Sequence, residues 1–297
     1  KLVRATFVTT EETKAEFSLG LALEIFILRQ YLLPLFPEPF ILSSERTGIL
    51  MFSNDVNRGP STPVRSLVAS DSDQDSEGPL LRYPLAVQAN IDFMFELGGR
   101  RSLTSRLARE RPDIIGLFDQ ISSGSFGIAS EGEPVFFTPD GTSLKLTARA
   151  GSSSIRALAL LSYYLRHTAR PGQLLLIDEP ELNLHPANQR LMARLLAMLC
   201  NYGIKVFVTT HSDYIVRELS SLRMGFLLEQ KFPDHSYQDQ LPKAALVDPA
   251  KSILYTLERQ YSGDSGGGSV GINEVNSLHG ALWDPATFDH TISQMNV

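Results

Sequence analysis

The sequence predicts an α/β protein in which helices flank a mainly parallel sheet. Residues 174–177 form an unbroken apolar run, LLLI, which is typical of a strand buried on both faces of a parallel sheet. A second, β-branched run follows over 204–210, one helix length later. Strands that alternate with helical patterns in this way indicate parallel strands joined by crossover helices. Some antiparallel strands are expected earlier in the chain.

Local patterns predict the elements that precede this sheet. Apolar residues at helical spacing predict a helix over 11–33, and PFILSSERTGI, residues 39–49, predicts a strand that leads into a functional turn. The acidic stretch 70–79 predicts a surface loop, and 84–122 predicts a helical region. Residues 126–150 predict short strands joined by tight turns.

Composition limits the class of protein. With 297 residues and 43% hydrophobic content, the chain can bury a sizeable core. A net charge of -6 gives no overall attraction to nucleic acid, although the arginines within 100–111 form either a solvated face or a local basic patch. The single cysteine, Cys200, fits a reducing compartment and lies on an apolar helical pattern, which predicts a small core residue. We expect a cytoplasmic protein without a membrane segment.

Polar residues follow both predicted strands of the sheet. Asp178 and Glu179 come directly after LLLI, and His211 follows the second strand. In open α/β sheets, ligands bind outside the carboxyl ends of the strands. The serine-rich turn at 152–154 opens an amphipathic helix, whose first turn can bind an anion. The aspartate can hold Mg²⁺, the glutamate can orient or deprotonate a water, and the histidine can contact a γ-phosphate.

Each of these residues also has a purely structural interpretation. An acidic pair at a strand end can cap the next helix, and a lone histidine such as His211 is more often an ordinary surface or packed residue. His185 precedes Pro186 at a predicted helix start, so a capping role competes there with a catalytic one. The order of the motifs along the chain favours a phosphate site over these alternatives.

The motifs resemble those of ABC-type ATPases. LLLIDEPELNLHP, residues 174–186, looks like a Walker B strand with its catalytic glutamate and D-loop, and VFVTTHSDYIVREL, residues 206–219, looks like the switch-histidine segment. The two motif sequences are most similar to those of bacterial RecF-like and overcoming-lysogenization-defect-like ATPases, which are relatives of the structural-maintenance-of-chromosomes heads. Many of these bacterial ATPases act in anti-phage defence. GSSSIRAL at 151–158 occupies the place of the signature motif. SSERTGI at 43–49, and GINEVNSLHG with TFDHTI near the end, also look like this group.

This resemblance implies a P-loop NTPase head of the ABC type that binds ATP and Mg²⁺ between two copies. Asp178 would coordinate Mg²⁺, Glu179 would be the general base, and His211 would sense the γ-phosphate. The residues implied at the interface with the second copy are Ser152, Ser153, Ser154 and Arg156 in the signature-like turn, and Asn183 and His185 in the D-loop.

One motif of such a head does not occur in the sequence. The pattern G-x-x-x-x-G-K-[ST], the loop whose amides and lysine hold the phosphates, is absent from the 297 residues. The chain begins KLVRATFVTT without an initiator methionine. We therefore expect an amino-terminal segment with this loop to be supplied from elsewhere, and we expect these 297 residues alone to bind ATP poorly.

The resemblance also implies four regions. Residues 1–50 would be the remainder of the amino-terminal ATPase lobe, and 51–125 a helical insertion or lid. Residues 126–225 would hold the core with the signature-like turn, Walker B, D-loop and switch histidine. Residues 226–297 would form a carboxyl-terminal cap.

The leading functional hypothesis is a head that dimerises around ATP and regulates an effector nuclease or toxin in anti-phage defence. Its partners would be a second copy of the chain and the effector protein, with DNA or a phage component as a further candidate. A non-hydrolysing scaffold that sequesters an effector and a RecF-like DNA-repair ATPase are the alternatives. A nuclease of the overcoming-lysogenization-defect type is disfavoured, because its metal domain needs a D-x-D cluster and none occurs after residue 220.

Overall fold

The structure of the protein is a computed structural model. It describes residues 36–51, 84–96, 103–128, 135–147, 150–232, 241–261, 268–275, 277–278 and 282–283. The chain divides into two units, Lys1–Glu38 and Pro39–Val297. Only residues 36–38 of the first unit are described. The predicted helix over 11–33 and the predicted loop over 70–79 lie outside the described residues, and the four-region division stays a prediction.

The second unit alternates helices and strands as predicted for its later half. The described elements are, in chain order, β1 (Pro39–Leu42), α1 (Leu85–Glu96), α2 (Arg106–Glu110), α3 (Pro112–Ser122), β2 (Gly124–Ile128), β3 (Val135–Pro139), β4 (Leu146–Thr147), α4 (Ser153–Tyr163), β5 (Leu174–Asp178), α5 (Pro186–Tyr202), β6 (Lys205–Thr209), α6 (Asp213–Lys231), β7 (Tyr255–Tyr261), β8 (Gly268–Glu274), β9 (Ser277–Leu278) and β10 (Leu282–Trp283). A π-helical turn, Tyr164–Thr168, extends α4, and single 3-10 turns lie at Lys243–Ala245 and Pro249–Lys251. Residues 46–51 are also helical.

A three-stranded parallel sheet, in the order β1-β5-β6, positions the predicted site. Leu42 at the end of β1 is in register with Ile177, and Asp178 at the end of β5 is in register with Thr209. Because parallel strands in this register end at one edge of the sheet, the segments that follow all three strands meet there. The predicted α/β fold with a mainly parallel sheet is confirmed.

The two faces of this sheet differ in burial. Leu42, Leu175 and Ile177 lie on the core face, and each is at most 2% exposed. Removing such a side chain from water contributes about 1.5–3 kcal/mol. On the other face, Leu176 is half-buried and Phe207 is 59% exposed. The predicted burial of LLLI on both faces is therefore wrong within the described part of the chain, since the described elements leave much of the second face uncovered.

Helix α4 is buried along most of its length. The apolar residues at helical spacings of three and four, Ile155, Leu158, Leu161 and Leu165, are all buried. Ser152 is the N-cap, and its Oγ accepts a hydrogen bond from Ile155 N at 3.3 Å. This bond satisfies one of the amides that a helix start leaves unpaired. The predicted serine turn before a core-facing helix is confirmed.

Helix α5 has the predicted start and end, while α6 opens directly behind the second strand, as predicted, and continues to Lys231. Pro186 opens α5, and Gly203 ends it with a φ of 100°, a left-handed conformation that glycine adopts without a steric cost. Ser212 caps α6 by accepting a hydrogen bond from Ile215 N at 3.2 Å. Cys200 is exposed, so the prediction of a core cysteine is wrong. Cys200 lies in the last turn of α5, where the helix reaches the surface, although burial of its thiol raises the pKa of that thiol to about 11.

Antiparallel strands form the remaining sheets. The strands predicted within 126–150 pair as β2-β3-β4, while β7 pairs with β8 and β9 with β10. The helical region predicted over 84–122 contains α1, α2 and α3, with a break at Arg111 between the last two. Across the described residues, the helices lack the combination of length and apolar character that is needed to cross a bilayer.

The described arginines of this helical region are engaged within the chain. Arg106 pairs with Glu110 at 2.7 Å, and Arg111 pairs with Asp113 at 2.7 Å. Arg109 donates to the carbonyl of Thr104 at 2.6 Å. Arg100 and Arg101 lie outside the described residues, and whether the arginines within 100–111 form a basic patch stays a prediction.

Candidate active site

Asp178 ends β5 beside Thr209 of β6. The Thr209 hydroxyl donates a hydrogen bond to Asp178 Oδ1, and Ser44, in the turn after β1, lies close enough to this carboxylate to lower its pKa. These donors, that of Thr209 above all, hold the pKa of Asp178 below its usual range although partial burial opposes the shift. The carboxylate is therefore ionised at neutral pH and can attract a cation.

Glu179 adopts a left-handed backbone conformation, with a φ of 49°. This conformation costs a non-glycine residue about 1–2 kcal/mol. Two backbone bonds stabilise it, because Glu179 N donates to Thr209 O at 3.0 Å and Leu182 N donates to Glu179 O at 3.0 Å. The Glu179 side chain is 34% exposed, so water can reach its carboxylate. Strain of this kind is concentrated at functional sites.

His211 follows β6, and its side chain is 89% exposed. Its Nε2 lies 3.9 Å from Glu179 Oε1, and its backbone N–H donates to Glu181 Oε1 at 2.7 Å. Glu181 thus fixes the segment that presents the histidine. Glu181 is not among the residues predicted from the sequence, although the repeated acid in DEPE is a visible signal.

Arg46 is a second site residue that the sequence did not predict. It is 3% exposed, and its guanidinium donates to four backbone carbonyls. The acceptors are Ser43 O at 2.9 Å, Ala157 O at 2.9 Å, Asp178 O at 2.7 Å and Glu179 O at 2.7 Å. Burial lowers the pKa of Arg46 to about 10, while the neighbouring carboxylates oppose this shift. The residue therefore stays protonated at neutral pH.

The predicted serines lie in the turn before α4. Ser152 Oγ is 2.7 Å from Ser154 Oγ, and Arg156 Nη2 donates to Ser153 Oγ at 3.3 Å. Arg156 Nη1 also donates to Gly151 O at 2.5 Å, so this arginine braces the turn. Among the described hydrogen bonds, none joins these hydroxyls to the acidic pair. Within one copy of the chain, Arg46 contacts both the acidic pair and Ala157, in the helix that the serine turn opens.

Asn183 and His185 lie between β5 and α5. Asn183 is exposed and left-handed, with a φ of 60°. His185 is the N-cap of α5, and its Nδ1 accepts a hydrogen bond from Ala187 N at 3.2 Å. The structure thus gives His185 the capping role within one copy, and it leaves Asn183 on the surface.

A groove of about 360 Å³ opens beside the ionised aspartate. Its walls include the apolar residues Leu42, Val87, Leu176 and Phe207, and the polar residues Asp178 and Thr209. This volume is at the lower end of the range of ligand sites. Through this groove, a bound molecule or a further segment of protein can reach the carboxyl ends of β5 and β6.

The residues present fit an Mg²⁺ ion that is shared with nucleotide phosphates. The described part of the chain contains no cluster of three His, Cys, Asp or Glu side chains that could hold a metal ion by itself. Mg²⁺ keeps several waters and usually binds one or two carboxylates together with substrate phosphates. The ionised carboxylate of Asp178 supplies one ligand of this kind.

Comparisons with known proteins identify the family to which the chain belongs. Residues 36–217, more than half of the chain, match the family described as "AAA domain, putative AbiEii toxin, Type IV TA system". The chain is also similar to the vitamin B12 import ATP-binding protein BtuD of Citrobacter koseri, with 39% identity over 76 residues. That alignment covers 26% of this chain and 30% of the relative, so the chain matches less than a third of that protein's length. The matched family range contains every site residue described above, and the protein belongs to this AAA-domain family.

Proposed function

We propose that the protein is an ATP-hydrolysing head of the ABC type that dimerises around ATP and regulates an associated effector in bacterial anti-phage defence. The main support is one geometric relationship at the end of two neighbouring strands. The ionised Asp178 is followed directly by Glu179, and His211 from the next strand lies 3.9 Å from the Glu179 carboxylate. Three side chains thus lie together: Asp178 as a ligand for a cation, Glu179 as a base for a water molecule, and His211 as a contact for a phosphate group.

Each of these side chains has a role in the proposed reaction. Asp178 holds Mg²⁺, which, when bound, neutralises charge on the phosphates. Glu179 accepts a proton from the attacking water as the oxygen of that water bonds to the γ-phosphorus. The bond to the β-phosphate oxygen breaks, and ADP and phosphate leave. His211 contacts the γ-phosphate, and Glu181 holds the backbone of His211 in place.

The reaction also needs a phosphate-binding loop, which these 297 residues do not contain as a G-x-x-x-x-G-K-[ST] motif. We propose that a further parallel strand along the outer edge of β6 supplies this loop. Two observations support the position. In the described residues β6 is paired only with β5, and Phe207 on β6 is 59% exposed. A strand and helix added there would cover Phe207 and bring a loop close to Asp178.

In the proposed dimer, the serine turn of one copy contacts the nucleotide that the other copy holds. Ser152 and Ser153 are exposed at the start of α4, where unpaired amides and the helix dipole attract phosphate. Asn183 and His185 would lie at the same interface. The partners are a second copy and an effector nuclease or toxin, with DNA or a phage component as the trigger. The description of the matching family, which mentions a toxin and a TA system, supports an effector of this kind.

A non-hydrolysing scaffold is the second candidate, and the missing phosphate-loop motif is the observation that favours it. Sedimentation velocity of the full-length protein distinguishes the two. We expect Glu179→Gln to double in mass with Mg-ATP, and the Glu179→Gln/Ser153→Arg double variant to remain a monomer. Ser153 follows the capping serine, so the cap is retained in this variant. A mass that does not respond to ATP would support the scaffold instead.

A further inference from the structure

Arg46 joins three elements that the proposed reaction uses. Its Nη1 and Nη2 donate to the carbonyls of Asp178 and Glu179, each at 2.7 Å, at the end of β5. Its Nε donates to Ala157 O at 2.9 Å, in the helix that the serine turn opens. One buried side chain therefore connects the acidic pair, the turn after β1 and helix α4.

The acceptors of Arg46 are backbone carbonyls and not the carboxylates of the acidic pair. A guanidinium presents its donors in a rigid planar fork, so the positions of its acceptors are fixed relative to one another. The carboxylate oxygens of Glu179 are not used in these bonds. Arg46 can therefore fix where the glutamate stands without reducing its ability to accept a proton.

The backbone that Arg46 holds is strained. Glu179 has a φ of 49°, which an unsupported non-glycine residue rarely adopts. The bond from Arg46 to Glu179 O acts on the peptide that follows this residue, and the bond to Asp178 O acts on the peptide that precedes it. Together they restrain both peptides that flank the left-handed residue.

We propose that Arg46 is a positioning residue that holds Glu179 in the geometry of a general base and couples it to the serine turn through α4. Ala157 lies one helical turn beyond Ser153, so a movement of the turn on binding phosphate is transmitted to the acceptor of Arg46 Nε. This inference rests on the proposed ATPase function. Arg46 itself does not contact the substrate.

The first test compares Arg46→Lys with Arg223→Lys in the full-length protein. Arg223 is a matched control, because it is likewise a buried arginine that donates to a backbone carbonyl, Ser252 O at 2.6 Å, away from the site. Lysine keeps the charge but cannot bridge four carbonyls. We expect Arg46→Lys to lower kcat for ATP about 10- to 100-fold with the ATP Kd within about twofold. Arg223→Lys should leave kcat unchanged. Equal kcat values for Arg46→Lys and wild type would overturn the assignment.

A double variant tests whether Arg46 acts through Glu179. Single-turnover hydrolysis is measured for Glu179→Gln with and without Arg46→Lys. If Arg46 acts only by positioning Glu179, the second change causes no further loss, because the coupled residue is already removed. Losses that multiply would contradict the inference. If Glu179→Gln alone hydrolyses ATP at the wild-type rate, the proposed function fails. If only Arg46→Lys hydrolyses ATP at the wild-type rate, the proposed function stands and the role of Arg46 fails.

A cavity variant covers the case in which lysine is not tolerated. Arg46→Ala is assayed with methylguanidinium, which can occupy the vacated position, and with methylammonium as the control. We expect methylguanidinium alone to restore part of kcat. If both Arg46 variants fail to fold, Arg46 is a core-stabilising residue and the positioning role is wrong.

Discussion

The backbone N–H of His211 donates a 2.7 Å hydrogen bond to Glu181 Oε1, which ties the segment after β6 to the turn after β5. Glu181 stands two residues beyond Glu179, and the Glu179 carboxylate lies 3.9 Å from the His211 ring. The turn after β5 thus carries both Glu179, the proposed general base, and Glu181, which holds the backbone of His211, the proposed phosphate contact. Changes at Glu181 should therefore act on hydrolysis through His211.

Glu181→Ala should lower kcat for ATP about 10- to 100-fold and leave ATP binding nearly unchanged, because it releases His211 without altering the acidic pair. Glu181→Gln retains an acceptor oxygen, so its kcat should lie between those of wild type and Glu181→Ala. Steady-state hydrolysis at saturating Mg-ATP measures both. Equal rates in Glu181→Ala and wild type would show that the bond has no role in catalysis.

The lowered pKa of Asp178 predicts a pH-dependent effect of Thr209→Val, which removes the main hydrogen bond to the carboxylate. A depressed carboxyl pKa stabilises the fold above the unfolded-state pKa of about 3.9, and this contribution is lost as the pH falls through the folded-state value. Urea denaturation from pH 7 to pH 3 should show a loss of stability in Thr209→Val that is largest near neutrality and shrinks in acid. A difference that is constant with pH would exclude the depressed pKa as its cause.

Glu218 should be important for stability and not for hydrolysis. It is 3% exposed, and its two carboxylate oxygens accept from Arg190 Nε and Arg194 Nε, both at 2.6 Å. Glu218→Ala should lower the free energy of unfolding by about 1.5–3 kcal/mol, as expected for losing charged hydrogen bonds of a buried carboxylate whose partner Arg190 is 55% exposed. Glu229 is more exposed and pairs with Lys243 at 2.5 Å, so Glu229→Ala should cost only about 0–1 kcal/mol. Denaturant unfolding measures both, and similar losses in the two variants would refute the distinction.

His185 offers a test that separates its cap from the proposed interface. His185→Ala removes the acceptor for Ala187 N and should cost about 1 kcal/mol of stability. Asparagine is a good N-cap, so His185→Asn should retain the stability of the wild type. If His185 also lies at the ATP-dependent interface, His185→Asn in the Glu179→Gln background should weaken the dimer in sedimentation experiments. An unchanged dimer would restrict His185 to the capping role.

Local sequence patterns predicted the parts of the site that depend on neighbouring residues. The apolar run before Asp178, the serine turn and the proline and glycine that bound α5 each define an element by themselves, and the parallel sheet then places Asp178 and His211 at one edge. Arg46 and Glu181 depend on contacts between distant residues. The bond from Arg46 to Glu179 joins positions that are 133 residues apart, and no local pattern predicts it. The exposure of Phe207 likewise depends on which elements cover that face of the sheet.

The most direct measurement is the rate of Mg-ATP hydrolysis by the full-length protein, compared among wild type, Glu179→Gln and Glu110→Gln. Glu110 is a suitable control because it pairs with Arg106 on α2, away from the sheet edge. The proposed mechanism predicts that Glu179→Gln lowers kcat about 10²- to 10⁴-fold while ATP remains bound, and that Glu110→Gln matches wild type. Hydrolysis by Glu179→Gln at the wild-type rate would contradict the assignment of Glu179 as the general base.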